Sequence, residues 1–176
     1  MRRFNSSSAL AALLLAASCI VPSVASAQAN PAATSQAMPF LEEAGRSDVF
    51  EITTSQIALM KSQDAHVREF ATGMIRDHTG TTNASLAAAK KAGIMAPPPV
   101  LNEAQRAQIT ALLAASGTQF DQLYWQQQLP AHQAALQLMQ GYASGGDTPQ
   151  LRAVATAAVP IVQGHLEHVR MALPAS

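Results

Sequence analysis

Apolar and small residues recur at steps of three and four over four long stretches of the chain. That spacing places them on one face of an α-helix. The clearest stripe is Val67, Ala71, Met74, His78 and Thr81. A second, earlier in the chain, reads Phe40, Ala44, Ser47, Glu51, Ser55 and Ala58, with Phe50, Ile57 and Met60 on a face rotated around the same helix. The later two read Phe120, Tyr124, Gln128, His132, Ala135/Leu136, Met139, Ala143 and Leu151, Ala155, Ala158, Val162, His165, Val169, Ala172. Each stripe carries one chemically reactive side chain near its middle, where an apolar residue would be ordinary.

Punctuation residues bound these stretches. Pro39 with Glu42 and Glu43 suits a first turn, and the first helix is expected over 39–62. Asp64 can cap the second, which should end at Lys90 and Lys91 with Gly93 just beyond. So short a turn makes these two helices antiparallel neighbours. Gly73 and Gly80 inside the second helix suggest close packing against a partner helix. Pro97, Pro98 and Pro99 then force an extended stretch, and Asn102 with Gln105 forms a capping-box start for a short helix reaching to about residue 115. The whole connection, residues 93–117, is far longer than a helix hairpin needs, so it can return along the bundle and leave the second and third long helices parallel. The third is expected over 119–143, capped by Thr118 and ended by Gly145 and Gly146. The fourth starts at Thr148 and Pro149 and runs to about 173. Pro130 and Pro160 fall inside the last two and predict kinks near their histidines. The expected class is all-α: a four-helix bundle with a long crossover that holds a short extra helix.

The first residues change the count of what folds. Met1 to Arg3 is a basic start, residues 9–21 are an apolar run, and Val24-Ala25-Ser26-Ala27 offers small residues for cleavage. This is the form of a secretory signal peptide over 1–27, too short to span a membrane comfortably. Export to the periplasm or envelope follows as an expectation. Lipidation at Cys19, the single cysteine, is the alternative, and Ala16 stands where such signals usually carry Leu. Residues 28–38 read as a flexible leader and 39–176 as one domain. Without Arg2 and Arg3, nine basic and eleven acidic residues remain, a net charge of −2. No basic patch points to nucleic acid, no phosphate-binding loop or nucleophile elbow is present, and the mature chain holds no further transmembrane segment.

What remains is histidine chemistry. Glu51, His78, His132 and His165 sit on the four facing stripes near mid-helix. From the first helix alone, Glu51 reads as a solvated carboxylate. Together with three imidazoles it makes a candidate site for one transition metal ion: zinc, iron, copper or manganese. A metal-free network of hydrogen-bonded side chains is the competing reading. Helix-rise arithmetic puts Glu51 and His78 within a turn of each other in height, and His132 and His165 about 7 Å apart. Asp77 can orient a histidine on another helix or pair with Arg76. His168, three residues after His165, can share its face and support the site. His66 is expected to be exposed, and Tyr124 and Trp125 to be packing aromatics.

Four segments carry a family resemblance: FLEEAGRSDVFEITTSQIAL, VREFATGMIRDHTGTTNASL, FDQLYWQQQLPAHQAALQLM and LRAVATAAVPIVQGHLEHV. Spanning Phe40 to about Ala172, they resemble the exported bacterial family termed domain of unknown function 4142, whose members are described as outer membrane proteins. The most specific phrases are Asp77-His78-Thr79, Phe120-Asp121 with His132, and Pro160 with His165. The resemblance implies a ferritin-like four-helix fold, and Glu51, Asp77, His78, His132 and His165 match the family's polar positions. Pro130 departs from its pattern. Ferritin-like di-iron oxidases use Glu-x-x-His pairs, but here Ile75 and Val162 occupy the positions three before His78 and His165. The expectation is therefore a metal-binding or stress-related envelope bundle. A metal-dependent oxidase and a metal-free scaffold for an envelope protein partner are the alternatives. A homodimer is open to any of the three.

Overall fold

The computed structural model describes residues 34–173. The expected signal peptide, Cys19 and residues 28–33 of the expected leader lie outside them. Within them the chain forms five helices: α1 (Thr34–Lys61), α2 (Ala65–Lys91), α3 (Glu103–Ala114), α4 (Gly117–Gly145) and α5 (Pro149–Ala172). The four long ones make the bundle, and α3 lies in the crossover from α2 to α4.

The caps work as their chemistry requires. Asp64 Oδ1 accepts from the backbone N–H groups of His66 and Val67, two donors that the first turn of α2 cannot pair itself. Asn102 and Gln105 form the reciprocal capping box at α3. Ser116 precedes α4 without a side-chain cap, and Gly117, not Thr118, makes the entry because its φ of +55° is open to glycine. Gly93 follows α2 at φ +72°.

Which ends meet fixes the topology. The end of α1 and start of α2 (Ile57, Ala58, Val67, Phe70) pack with the start of α4 and end of α5 (Phe120, Tyr124, Trp125, Val169). At the far end, Phe40, Leu41 and Ala44 of α1 join Ala88 and Ala89 of α2, Met139 and Tyr142 of α4, and Leu151 and Ala155 of α5. The order is thus up-down-down-up, with α2 and α4 parallel as the long crossover predicts. Between the two apolar clusters lies a buried polar layer of Asp48, Glu51, Thr54, Ser55, His78, Thr81, Gln128 and His132.

Three expectations need correction. Helix α1 begins at Thr34, five residues before Pro39, so the end of the expected leader is helical. Two tertiary contacts account for the extra turn: Ala37 is fully buried in the lower cluster, and the Gln36 N–H donates to Asp147 Oδ2 at 3.0 Å. Helices α4 and α5 run continuously through Pro130 and Pro160. Each proline frees a carbonyl four residues back, and those residues, Gln126 and Thr156, are exposed to water rather than close to the site. Gly80 has no neighbour within 4 Å of where a Cβ would stand, and Gly73 meets only the tip of Arg76. Neither marks a close helix crossing.

Candidate metal centre

Helix periodicity delivers the site's side chains to the middle of the bundle. On α1, Leu41, Ala44, Asp48, Glu51, Ser55 and Ala58 lie at steps of three and four and are all buried. Glu51 is fully buried, so the solvated reading of this carboxylate is wrong. The stripes of α2 and α4 bring His78 and His132 inward, both buried. His165 of α5 is partly buried, its side chain 13% exposed. The ring centroids of His78 and His132 are 6.0 Å apart, those of His78 and His165 5.5 Å, and those of His132 and His165 5.5 Å. The three imidazoles therefore meet, despite the height offset expected between His132 and His165.

Each imidazole is held by one nitrogen. His78 Nδ1–H donates to Asp48 Oδ1 at 2.8 Å and lies 3.0 Å from Glu51 Oε2. His132 Nδ1–H donates to the Gln128 carbonyl at 2.8 Å, with Glu51 Oε1 at 3.5 Å. His165 Nε2–H donates to Asp77 Oδ2 at 3.0 Å. Because every partner is an acceptor, each of these nitrogens carries a proton, and in the neutral ring the other nitrogen offers a lone pair. Those other atoms, His78 Nε2, His132 Nε2 and His165 Nδ1, are buried without a hydrogen-bond partner. One ligating atom from each ring lies within 4.8 Å of the other two. A carboxylate or carbonyl behind each histidine is the arrangement that fixes ring orientation in metal sites.

Asp48 is the functional residue that the sequence reading missed. It accepts from His78, from Thr81 Oγ1 at 3.2 Å and from Thr82 Oγ1 at 2.6 Å. The signal was present: Asp48 is three residues before Glu51 on the buried stripe, where Ser47 was counted instead. Glu51 stands behind His78 and His132, outside the group of three imidazoles but in a second, fully buried group with Asp48 and His78 whose ligand atoms also lie within 4.8 Å of one another, and Ser47 donates to it at 3.4 Å. Asp77 orients His165 and also takes two bonds from Arg76, so both of its expected roles occur together. His168 stacks on Trp125 and lies against Phe70, with ring centroids 5.9 Å and 4.9 Å away. His66 is exposed, and Tyr124 and Trp125 are buried packing aromatics.

Burial and charge set the protonation. Burial lifts the Glu51 carboxyl to about 7 against the pull of His78. For His78 burial acts downward, but the charge of Glu51 and the bond and charge of Asp48 outweigh it and raise the imidazole to about 9. Burial holds His132 down at about 3 and lowers His165 as well. The Arg76 hydrogen bond keeps Asp77 below the usual carboxylate range. At neutral pH, His132 and His165 are neutral donors and the charge sits on the Asp48–His78–Glu51 side.

The model of the family described as Domain of unknown function (DUF4142) matches residues 22–172. Two solved structures share the fold. One is the crystal structure of a DUF305 fragment from Deinococcus radiodurans, 17% identical, covering 81% of this chain and 95% of that one at a TM-score of 0.68. The other is CopM in the Cu(I)-bound form, 16% identical, covering 77% and 94% at a TM-score of 0.64. No curated protein matches the sequence. At these identities the structural likeness speaks to the fold alone, while the family match spans the whole bundle and the chain belongs to DUF4142, a domain family of unknown function.

Proposed function

We propose that this protein is an exported envelope bundle that binds one transition metal ion through His78 Nε2, His132 Nε2 and His165 Nδ1. The observation that carries the reading is the meeting of three imidazoles, each with one ring nitrogen buried without a hydrogen-bond partner and its other nitrogen pinned by an acceptor. A buried polar atom left unpaired costs about 1–3 kcal/mol. Three of them would take a large part of the roughly 5–15 kcal/mol by which a domain is stable. A metal ion pairs all three at once.

Donor chemistry narrows the ion. Three imidazoles without thiolate, His78 giving up a proton on binding, suit zinc, copper, nickel or iron better than manganese, which favours oxygen donors. CopM, similar in fold, has been seen with Cu(I), which makes copper the ion to test beside zinc. In this reading Asp48, Glu51, Asp77 and the Gln128 carbonyl hold the rings, and Glu51 is a support rather than a ligand. The Glu-x-x-His pairs of di-iron oxidases are missing at Ile75 and Val162, which argues against a ferritin-type di-iron oxidase.

One observation favours a second reading. The Asp48–His78–Glu51 group satisfies much of its own charge, as a metal-free register-setting network would. Replacing His78 and His132 by Gln separates the two. Under metal binding, bound zinc or copper is lost and the bundle stays folded. If no metal is ever present and the double variant simply unfolds, the network reading replaces it.

A further inference from the structure

The three imidazoles differ in how they face water. His78 is clamped by two buried carboxylates, and His132 is fully buried against the carbonyl of its own helix. His165 alone has an outward partner. Its Nε2 is bonded to Asp77, whose side chain is 21% exposed, and Asp77 is held in turn by Arg76, 76% exposed. The Arg76 bonds to Asp77, at 2.7 Å and 3.0 Å, are made by a long surface side chain that rotates freely in water.

A groove of about 570 Å³ reaches Arg76 and Asp77. It runs between α2 and α5 and is lined by Gly80, Thr81, Ala84, Ala157 and Ile161, with Asp77 at the end nearest His165. Ile161 is one helical turn before His165, and Thr81 also donates to Asp48. The glycine at 80 explains why the groove is open: no atom lies within 4 Å of its missing Cβ. Gly73 and Gly80 bring no close helix contact, and at position 80 the glycine clears this approach instead.

We infer that the α2–α5 groove is the port through which a divalent metal ion enters and leaves the site, with Asp77 as its first ligand. The inference rests on the metal-binding reading above. A cation arriving along the groove meets an ionised carboxylate, displaces Arg76 from it, and passes to the His165 ring, the one ring whose partner can move. The other two are fixed in advance and complete the site behind it. Neither opening is lined by an imidazole, but the groove reaches Asp77, which is bonded to His165, whereas the cleft of about 600 Å³ between α1, α3 and α4 is backed by Ser47 and Ala134.

Copper(II) uptake can be followed by quenching of the single tryptophan, Trp125, whose ring is 4.9 Å from Phe70, itself 5.9 Å from His165. Release is followed after adding EDTA. Gly80→Leu fills the groove without touching a ligand and introduces a better helix former. Ala134→Leu does the same in the opposite cleft. The port predicts that Gly80→Leu slows uptake and release together by about tenfold or more with Kd within about threefold of wild type, and that Ala134→Leu changes neither rate. Arg76→Ala should speed both. Wild-type exchange rates in Gly80→Leu, a shift in its Kd with rates otherwise intact, or slowing in Ala134→Leu would overturn the port. A wild type with no saturable quenching fails the metal reading itself, before any variant is compared.

Discussion

At the scale of single residues, the site is a set of tautomer choices made by acceptors. Asp48, the Gln128 carbonyl and Asp77 each take one N–H and leave the other ring nitrogen buried without a partner. Asp48→Asn should weaken zinc or copper affinity by about 10–100-fold, the usual effect of losing an orienting carboxylate, measured by competition with a chromophoric chelator. Unchanged affinity would mean that Asp48 serves only Thr81 and Thr82. The pH dependence has a definite sign. His78 is raised to about 9, so at neutral pH its ring is protonated and a metal must displace that proton. Affinity should therefore rise with pH, by about tenfold per unit between pH 7 and 9, with proton release on binding seen in titrations across several buffers. His132 and His165, both lowered, do not add to that slope. All three histidine positions were legible in the sequence because an imidazole on an apolar helical stripe stands out. Asp48 was not, because a carboxylate beside a serine on α1 looks like surface until Thr81 and Thr82, more than thirty residues on, are known to face it.

At the scale of helices, local chemistry set most boundaries. The caps at Asp64 and Asn102 are where the sequence puts them, and Asp64→Ala should lower stability by about 1 kcal/mol in a urea titration. Start and stop signals fail where tertiary contacts override them. Pro39 looks like a first residue, yet buried Ala37 and the Gln36–Asp147 bond carry α1 back to Thr34. Pro130 sits inside α4 as expected, and the carbonyl it leaves unpaired belongs to exposed Gln126, where water can bond it. Pro130→Ala restores a backbone donor on that face. It should raise the unfolding free energy by about 1–3 kcal/mol without changing metal content, seen by thermal and denaturant unfolding beside elemental analysis. A loss of stability would show that the proline's geometry is needed to seat His132.

At the scale of the molecule, the bundle is two apolar ends joined by a polar middle. Upper and lower clusters give the fold its topology, and α2 and α4 run parallel because the crossover with α3 is long enough to return along the bundle. Architecture was readable from four stripes and one long connection. Convergence of the site was not, because helix-rise arithmetic left His132 and His165 at different heights, while their rings lie 5.5 Å apart. The central claim is that the polar middle is a metal site. Ligation of the folded state alone would add about 4 kcal/mol of stability at a free-metal concentration a thousandfold above Kd. The most direct test is elemental analysis of the chain from Gln28 to Ser176, purified from the periplasm without a histidine tag or chelator. The account predicts about one equivalent of copper or zinc per chain, lost in the His78→Gln/His132→Gln variant while its helical circular dichroism remains. A folded wild type that holds no transition metal, and takes up neither zinc nor copper when offered, would contradict it.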